Sequence, residues 1–183
     1  MTGHGENGTM EVLQVPSELE PMVDLYCERK PLRVLEIGCW DGGTLREWLE
    51  QAVPDAVVVA VDLEHRNAET YEEWRKPDTE LLLYTGSSLE PEGIAFIREH
   101  GPYDWVFVDG DHGDYGVRSD VGVCLPLVTP GGLMLIHDVT PPSGDASYPP
   151  QVVFDELGTL HETWSFQDPA PASWSRGIGV VQL

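Results

Sequence analysis

The stretch Val34-Leu35-Glu36-Ile37-Gly38-Cys39-Trp40-Asp41-Gly42-Gly43-Thr44 decides how this chain is read. Leu32–Ile37 is a short, mostly apolar run of the kind found in strands buried on both faces, and it breaks at a glycine. Gly38 permits a tight turn, and Gly42-Gly43 let a ligand approach the amides that open the next helix. Over Thr44–Gln51, Leu45, Trp48 and Leu49 stand at i, i+3 and i+4, the apolar stripe of a helix lying on a sheet. Strand, glycine turn and helix in this order begin a parallel α/β sheet. The spacing G-x-x-x-G-G differs from the G-x-G-x-x-G of dinucleotide binding, which disfavours a nicotinamide dehydrogenase.

The same alternation continues on both sides. Ser17-Glu18-Leu19-Glu20 has the spacing of a capping box and predicts a helix running to about Arg29. Ala56–Val61 is a β-branched strand ending at Asp62, followed by a helix over Asn67–Lys76, a strand over Leu81–Tyr84 and a helix over Pro91–His100. Trp105–Val108, a helix over Val117–Leu125, and Leu133–Ile136 after Pro130-Gly131-Gly132 complete a βαβαβαβαβ order. That order implies a parallel sheet with right-handed crossovers and helices on both faces. After a helix near Val152–Leu157, His161–Phe166 and Ile178–Val181 follow with only a loop between them, which predicts an antiparallel hairpin at one sheet edge.

With 183 residues and 41% apolar content, the chain fits one domain over 13–183, preceded by a polar, glycine-containing leader over 1–12 expected to be disordered. Ten basic residues against 32 acidic ones give a formal charge of −22. The average surface therefore repels a phosphate backbone or an anionic membrane, and no basic cluster appears; nucleic acid is not an expected partner. Cys27, Cys39 and Cys124 show no CxxC spacing, so a reduced, cytoplasmic setting fits better than a disulfide framework or a zinc site. No run approaches the ~18 apolar residues of a membrane span.

In an open parallel sheet, ligands bind beyond the carboxyl ends of the strands. Asp62 ends the second strand 24 positions after Gly38, where a carboxylate can accept from both hydroxyls of a ribose. Gly86-Ser87-Ser88 follows the third strand, where amides and a hydroxyl can meet an adenine edge or cap a helix. The fourth strand ends in Val108-Asp109-Gly110-Asp111-His112 and the fifth in Ile136-His137-Asp138. Two such strand ends at one sheet edge can gather an oxygen-rich site for Mg²⁺, Mn²⁺ or Ca²⁺, with Asp109 and Asp138 as hard ligands. His112 or His137 can complete it or accept a proton near neutral pH.

Taken together, VLEIGCWDGGT, AVDLEHRN, GSS and YDWVFVDGDHGDYGVRSDVGVCLPLVTPGGLMLIHDV resemble class I S-adenosylmethionine (SAM)-dependent methyltransferases over roughly residues 30–140. The likeness is narrowest to the branch of macrocin O-methyltransferases and cephalosporin-hydroxylase-like proteins. It implies a Rossmann-like class I methyltransferase fold, α/β, with a mostly parallel seven-stranded sheet and a C-terminal antiparallel hairpin. It also implies that Glu36, Gly38 and Gly42 hold the methionine portion of SAM, Asp62 its ribose, and Ser87 and Ser88 its adenine. Metal-dependent members of the wider group place a divalent cation on positions that fall here on Asp109, His137 and Asp138. The His-Asp pair departs from the Asp-Asp or Asp-Asn of those relatives.

The resulting expectation is a divalent-metal-assisted O-methyltransferase acting on a small-molecule hydroxyl, with Asp109, His112 and His137 as catalytic residues. A metal-free variant would use His112 or His137 as base. The reading from another class is a SAM-binding domain that transfers no methyl and serves as a sensor or partner subunit. The resemblance also implies a homodimer. Thr140–Pro150 reads as an active-site loop or a plain linker; Trp40, Trp164 and Trp174 as pocket lining or packing; and Arg118 and Asp120 as helix-surface or ion-pair residues.

Overall fold

Each apolar run from Arg33 onward is short enough to be a strand, and each is followed by a turn and a segment whose apolar residues recur three or four apart. The computed structural model describes residues 14–141, 145, 147–168 and 176–183. Its strands are β1 (Arg33–Ile37), β2 (Val57–Asp62), β3 (Glu80–Thr85), β4 (Tyr103–Val108), β5 (Val128–His137), β6 (Glu162–Phe166) and β7 (Ile178–Gln182). Its helices are α1 (Pro16–Arg29), α2 (Gly43–Gln51), α3 (Ala68–Trp74), α4 (Pro91–His100), α5 (Asp114–Cys124) and α6 (Pro149–Leu157). The strands are ordered β3-β2-β1-β4-β5-β7-β6. β1 to β5 are parallel, and β7 runs antiparallel to both of its neighbours.

The expected C-terminal hairpin is present, with the returning strand on the inside. Ile178, Val180 and Val181 of β7 are fully buried, whereas β6 carries the half-exposed Thr163-Trp164-Ser165-Phe166. The more apolar strand takes the covered place beside β5, and the more polar one forms the edge.

Side chains alternate across the sheet, and both faces are covered. Leu35, Ile37, Val59, Val61, Val106 and Val108 face a core shared with Ile97, Val117, Val121 and Val153 of α4, α5 and α6. Val34, Val58, Ala60, Trp105 and Phe107 face the opposite core, against Met22, Tyr26, Trp48 and Tyr71 of α1, α2 and α3. In that second core Trp48 lies 4.8 Å from Tyr26 and 5.3 Å from Trp105 between ring centroids.

Three local expectations are corrected. The capping box at Ser17 does not form: Val15 is the N-cap and Pro16 opens α1, while Glu18, outside that pair, accepts the Gly177 N–H at 3.0 Å. Proline's fixed φ and missing N–H suit the first helical position, which shifts the start upstream. β5 begins at Val128, so Pro130-Gly131-Gly132 lies within it rather than before it. The Gly131 N–H reaches the Leu183 carbonyl at 2.6 Å, a pairing with the chain end that no local pattern announces. α5 begins at Asp114, three residues before the predicted Val117.

Candidate active site

β1 and β4 are neighbours while the strand order reverses between them, so the crevice at their carboxyl ends is the topological switch point. Gly38, at φ +84°, turns the chain out of β1 there, and a Cβ at this position would overlap the Asp109 carbonyl. Gly42, at φ +85°, has the Tyr71 ring where its side chain would be. Both glycines are therefore demanded by the protein's own packing. The expectation that Gly42 leaves room for a ligand is corrected on this point: Gly43, not Gly42, lies on the cavity wall.

A cavity of about 530 Å³ opens at these strand ends, within the usual size of a small-molecule site. Gly38, Asp62, Ser87, Ser88, Asp109 and His112 all line it. Asp62 accepts the N–H groups of Cys39 and Trp40 through Oδ2 and that of Glu64 through Oδ1. A carboxylate offers about four acceptor positions, so one remains for a ligand hydroxyl. Ser87 Oγ accepts the Leu89 N–H at 3.2 Å, closing the turn after β3. Glu36 is fully buried behind the wall on the Trp48 side of the sheet, and among the described residues neither of its oxygens has a hydrogen-bond partner. Burial first, then the charge of Asp109, pushes its pKa well up. An orphaned carboxyl beneath the glycine turn fits a ligand carrying a cationic group.

At the other end, β4 and β5 bring Asp109, His112, His137 and Asp138 together. His137 Nδ1 lies 2.8 Å from Asp109 Oδ1 and 3.3 Å from Asp138 Oδ1. His112 is held on both sides, Nε2 at 3.2 Å from Asp109 Oδ1 and Nδ1 at 3.0 Å from Asp138 Oδ2. These two bonds push the His112 pKa up to about 10 against the opposing effect of burial. Burial alone would raise the carboxyls of Asp109 and Asp138, but the imidazoles hold both below the ordinary range. Asp138 has φ +63°, a left-handed conformation uncommon in a side-chain-bearing residue and concentrated at functional sites.

One ligand atom from each of Asp109, His112 and His137 falls within 4.8 Å of the others, a separation that suits a metal ion. Two carboxylates and two imidazoles form a mixed oxygen and nitrogen donor set. Such a set suits Mn²⁺, Fe²⁺ or Zn²⁺ at least as well as Mg²⁺, which prefers oxygen alone.

Two residues escaped the sequence reading. Gln14 Nε2 donates to Asp109 Oδ2 at 2.9 Å, and its Oε1 accepts the Thr44 hydroxyl at 3.1 Å. Nothing local marks Gln14. Tyr148 OH donates to Asp138 Oδ2 at 3.0 Å from just before Pro149-Pro150, a pair that signals the start of α6. It belongs to the expected 140–150 loop, of which residues 142–144 and 146 lie outside the described residues.

Among the tryptophans, Trp40 lines the cavity with the Arg66 guanidinium 4.0 Å above its ring, Trp164 packs on the core, and Trp174 lies outside the described residues. Arg118 makes the expected surface ion pairs, with Asp114 and Glu156. Asp120 is corrected: it is 1% exposed, and among the described residues it makes no ion pair and neither of its oxygens has a hydrogen-bond partner. It sits on the face of α5 that turns toward Gly110.

A sheet of this order with a nucleoside-sized cavity at its switch point defines the class, and the chain belongs to the methyltransferase domain family whose model matches residues 35–139. Two curated relatives are similar in sequence. The mycinamicin VI 2''-O-methyltransferase of Micromonospora griseorubida is 30% identical over 116 residues, covering 59% of this chain and 27% of the relative. The demethylmacrocin O-methyltransferase of Streptomyces fradiae is 31% identical over the same shares of each chain. This chain therefore spans about a quarter of each relative's length.

Among solved structures, the Bacillus cereus O-methyltransferase with S-adenosylhomocysteine (SAH) aligns at TM-score 0.75, 16% identity, over 96% of this chain and 84% of that one. TomG of Streptomyces achromogenes, solved with SAM, aligns at 0.70 and 19% identity over 96% and 82%. MycE, solved with Mg, SAH and mycinamycin VI, aligns at 0.65 and 20% identity over 88% and 48%. These likenesses show the fold. Among the described residues no helix is long and apolar enough to cross a membrane.

Proposed function

We propose that the protein transfers the methyl group of SAM to a hydroxyl of a small molecule, assisted by a divalent cation at the Asp109–Asp138 cluster. The observation that carries this reading is that Asp62 and His112 line one cavity, an acceptor for a ribose hydroxyl at one end and an imidazole between two carboxylates at the other. The names of the two sequence relatives, each an O-methyltransferase, and the Mg in the MycE complex support an oxygen acceptor and a cation.

SAM supplies an electrophilic methyl on a sulfonium, so the protein's part is alignment and proton removal. Gly38 and Gly43 line the methionine end with Glu36 buried behind them and Gly42 shaping the turn against Tyr71, Asp62 takes the ribose, and Ser87 and Ser88 flank adenine. A cation on Asp109, His137 and Asp138 would supply the Lewis acidity that lowers a hydroxyl pKa. His112, the imidazole on the cavity wall, receives the acceptor's proton, and Asp109 and Asp138 stabilise the imidazolium that results. Without the cation, His137, more deeply placed, holds Asp109 through Nδ1.

The reading is tested by calorimetric titration with SAH, once after chelation and once with Mn²⁺, followed by a screen of hydroxyl-bearing acceptors with SAM. SAH binding, a separate metal heat and methyl transfer are expected. Absence of SAH binding in both titrations sinks the reading. Tight SAH binding with no transfer across the panel would instead favour a SAM-binding domain without transferase activity.

A further inference from the structure

The Asp109 carboxylate divides its two oxygens between two neighbourhoods. Oδ1 faces both imidazoles, at 2.8 Å from His137 and 3.2 Å from His112. Oδ2 faces the other way and accepts the Gln14 amide at 2.9 Å. The Gln14 side chain cannot be reversed without loss: its nitrogen must donate to the carboxylate, and its oxygen must accept from the Thr44 hydroxyl. Gln14 is 7% exposed and Thr44 5%, so neither contact competes freely with water. Thr44 stands in the first turn of α2, directly after the glycine turn. One buried amide thus ties the segment before α1 to the first turn of α2 and to the acid that follows β4.

We propose that Gln14 is a positioning residue for the cation site: it pins Asp109 Oδ2, leaves Oδ1 aimed into the imidazole pair, and anchors this arrangement to Thr44. The inference rests on the metal-assisted reading above. Without Gln14, Oδ2 would lose its donor in a mostly buried place, and the carboxylate would be free to turn about its last torsion. Groups that orient a metal-ligating carboxylate typically contribute 10–100-fold to metal affinity. Thr44 acts only through Gln14, so its removal weakens the site less, and adding it to the loss of Gln14 changes little further.

The test is Mn²⁺ binding by electron paramagnetic resonance, with SAH binding by calorimetry in chelator, on the full chain and its Gln14→Leu, Thr44→Val and double variants. Leucine keeps the approximate volume of Gln14 and removes both polar atoms. Expected are Mn²⁺ affinity lowered roughly 10-fold or more in Gln14→Leu, a smaller loss in Thr44→Val, and a double variant within about 2-fold of Gln14→Leu. Thermal unfolding should move much less than Mn²⁺ affinity, which separates positioning from general loosening of the fold; SAH affinity reports a second effect, because Gln14 and Thr44 also line the cavity. Equal Mn²⁺ affinity in the full chain and Gln14→Leu overturns the proposal alone, as does a loss of thermal stability that parallels the loss of Mn²⁺ binding. A full chain that binds SAH but no Mn²⁺ overturns it together with the metal half of the proposed function, leaving the SAM half standing.

Discussion

His112 Nδ1 stands 3.0 Å from Asp138 Oδ2, so an imidazole from the loop after β4 is bonded to the residue that follows β5. With its second contact to Asp109, this bond raises the His112 pKa to about 10. A histidine whose folded pKa lies above its unfolded value, about 6.5, stabilises the fold fully below that value. The contribution is lost as pH rises through about 10. The metal-free protein is therefore expected to lose thermal stability as pH is raised from roughly 7 to 10, and His112→Gln to flatten the decline. Melting curves across that range check it; identical slopes for the two proteins would count against the bridge.

The same shift bears on activity. A base must be unprotonated to receive the acceptor's proton, so kcat/KM of chelated enzyme should climb with pH toward about 10. Added Mn²⁺ should move the rise to lower pH, because a cation beside the ring disfavours the imidazolium. Asp109→Asn and Asp138→Asn should each lower the rate by roughly 10²-fold or more and abolish the response to Mn²⁺. Unchanged turnover and metal response in both variants would remove the cluster from the mechanism.

Gly38→Ala is expected to be among the most damaging small substitutions. The added methyl would overlap the Asp109 carbonyl and Gly110 backbone, and alanine is disfavoured at φ +84°. Left-handed strain alone costs about 1–3 kcal/mol, and backbone cannot yield as a side-chain tip can. Urea unfolding should show a loss of at least that size, with SAH binding impaired in whatever fraction folds.

Asp120→Asn should act in the stabilising direction. Burial, with a smaller push from the Asp111 charge, raises the Asp120 carboxyl to about 6. An acid raised in this way contributes its full stability below its unfolded pKa and loses it as pH rises through about 6. The neutral amide escapes that loss, so the variant should gain about 1–3 kcal/mol at pH 8 and little at about pH 3, below the unfolded carboxyl pKa. Equal effects at the two pH values would contradict a buried, titrating carboxyl.

β1 was legible from Leu32 to Ile37, and the α2 stripe of Leu45, Trp48 and Leu49 is buried as its period implied. Asp62, Asp109, His112, His137 and Asp138 could be found because they follow apolar runs, and strand ends in a parallel sheet share one edge. Gln14 carries no such mark: it is polar, precedes a helix, and becomes significant only where it meets Asp109, 95 positions away. Asp120 misled for the opposite reason, since a charged residue on a helix is ordinarily solvated. The glycines were recognised correctly as turn residues, but Gly42 yields space to Tyr71, a neighbour that the period of its own segment cannot reveal.

By itself the sequence determined the order of strands and helices, the parallel sheet with its terminal hairpin, and the set of acids and imidazoles at the strand ends. These follow from periods of two and 3.6 residues and from turn chemistry, interactions that act within a few positions. Only the tertiary structure decided that β7 lies inside β6, that His112 bridges Asp109 and Asp138, and that Gln14 fixes the outer oxygen of Asp109. Those contacts join distant parts of the chain, and their free energy appears only once the sheet has closed and water has left the groups that meet there.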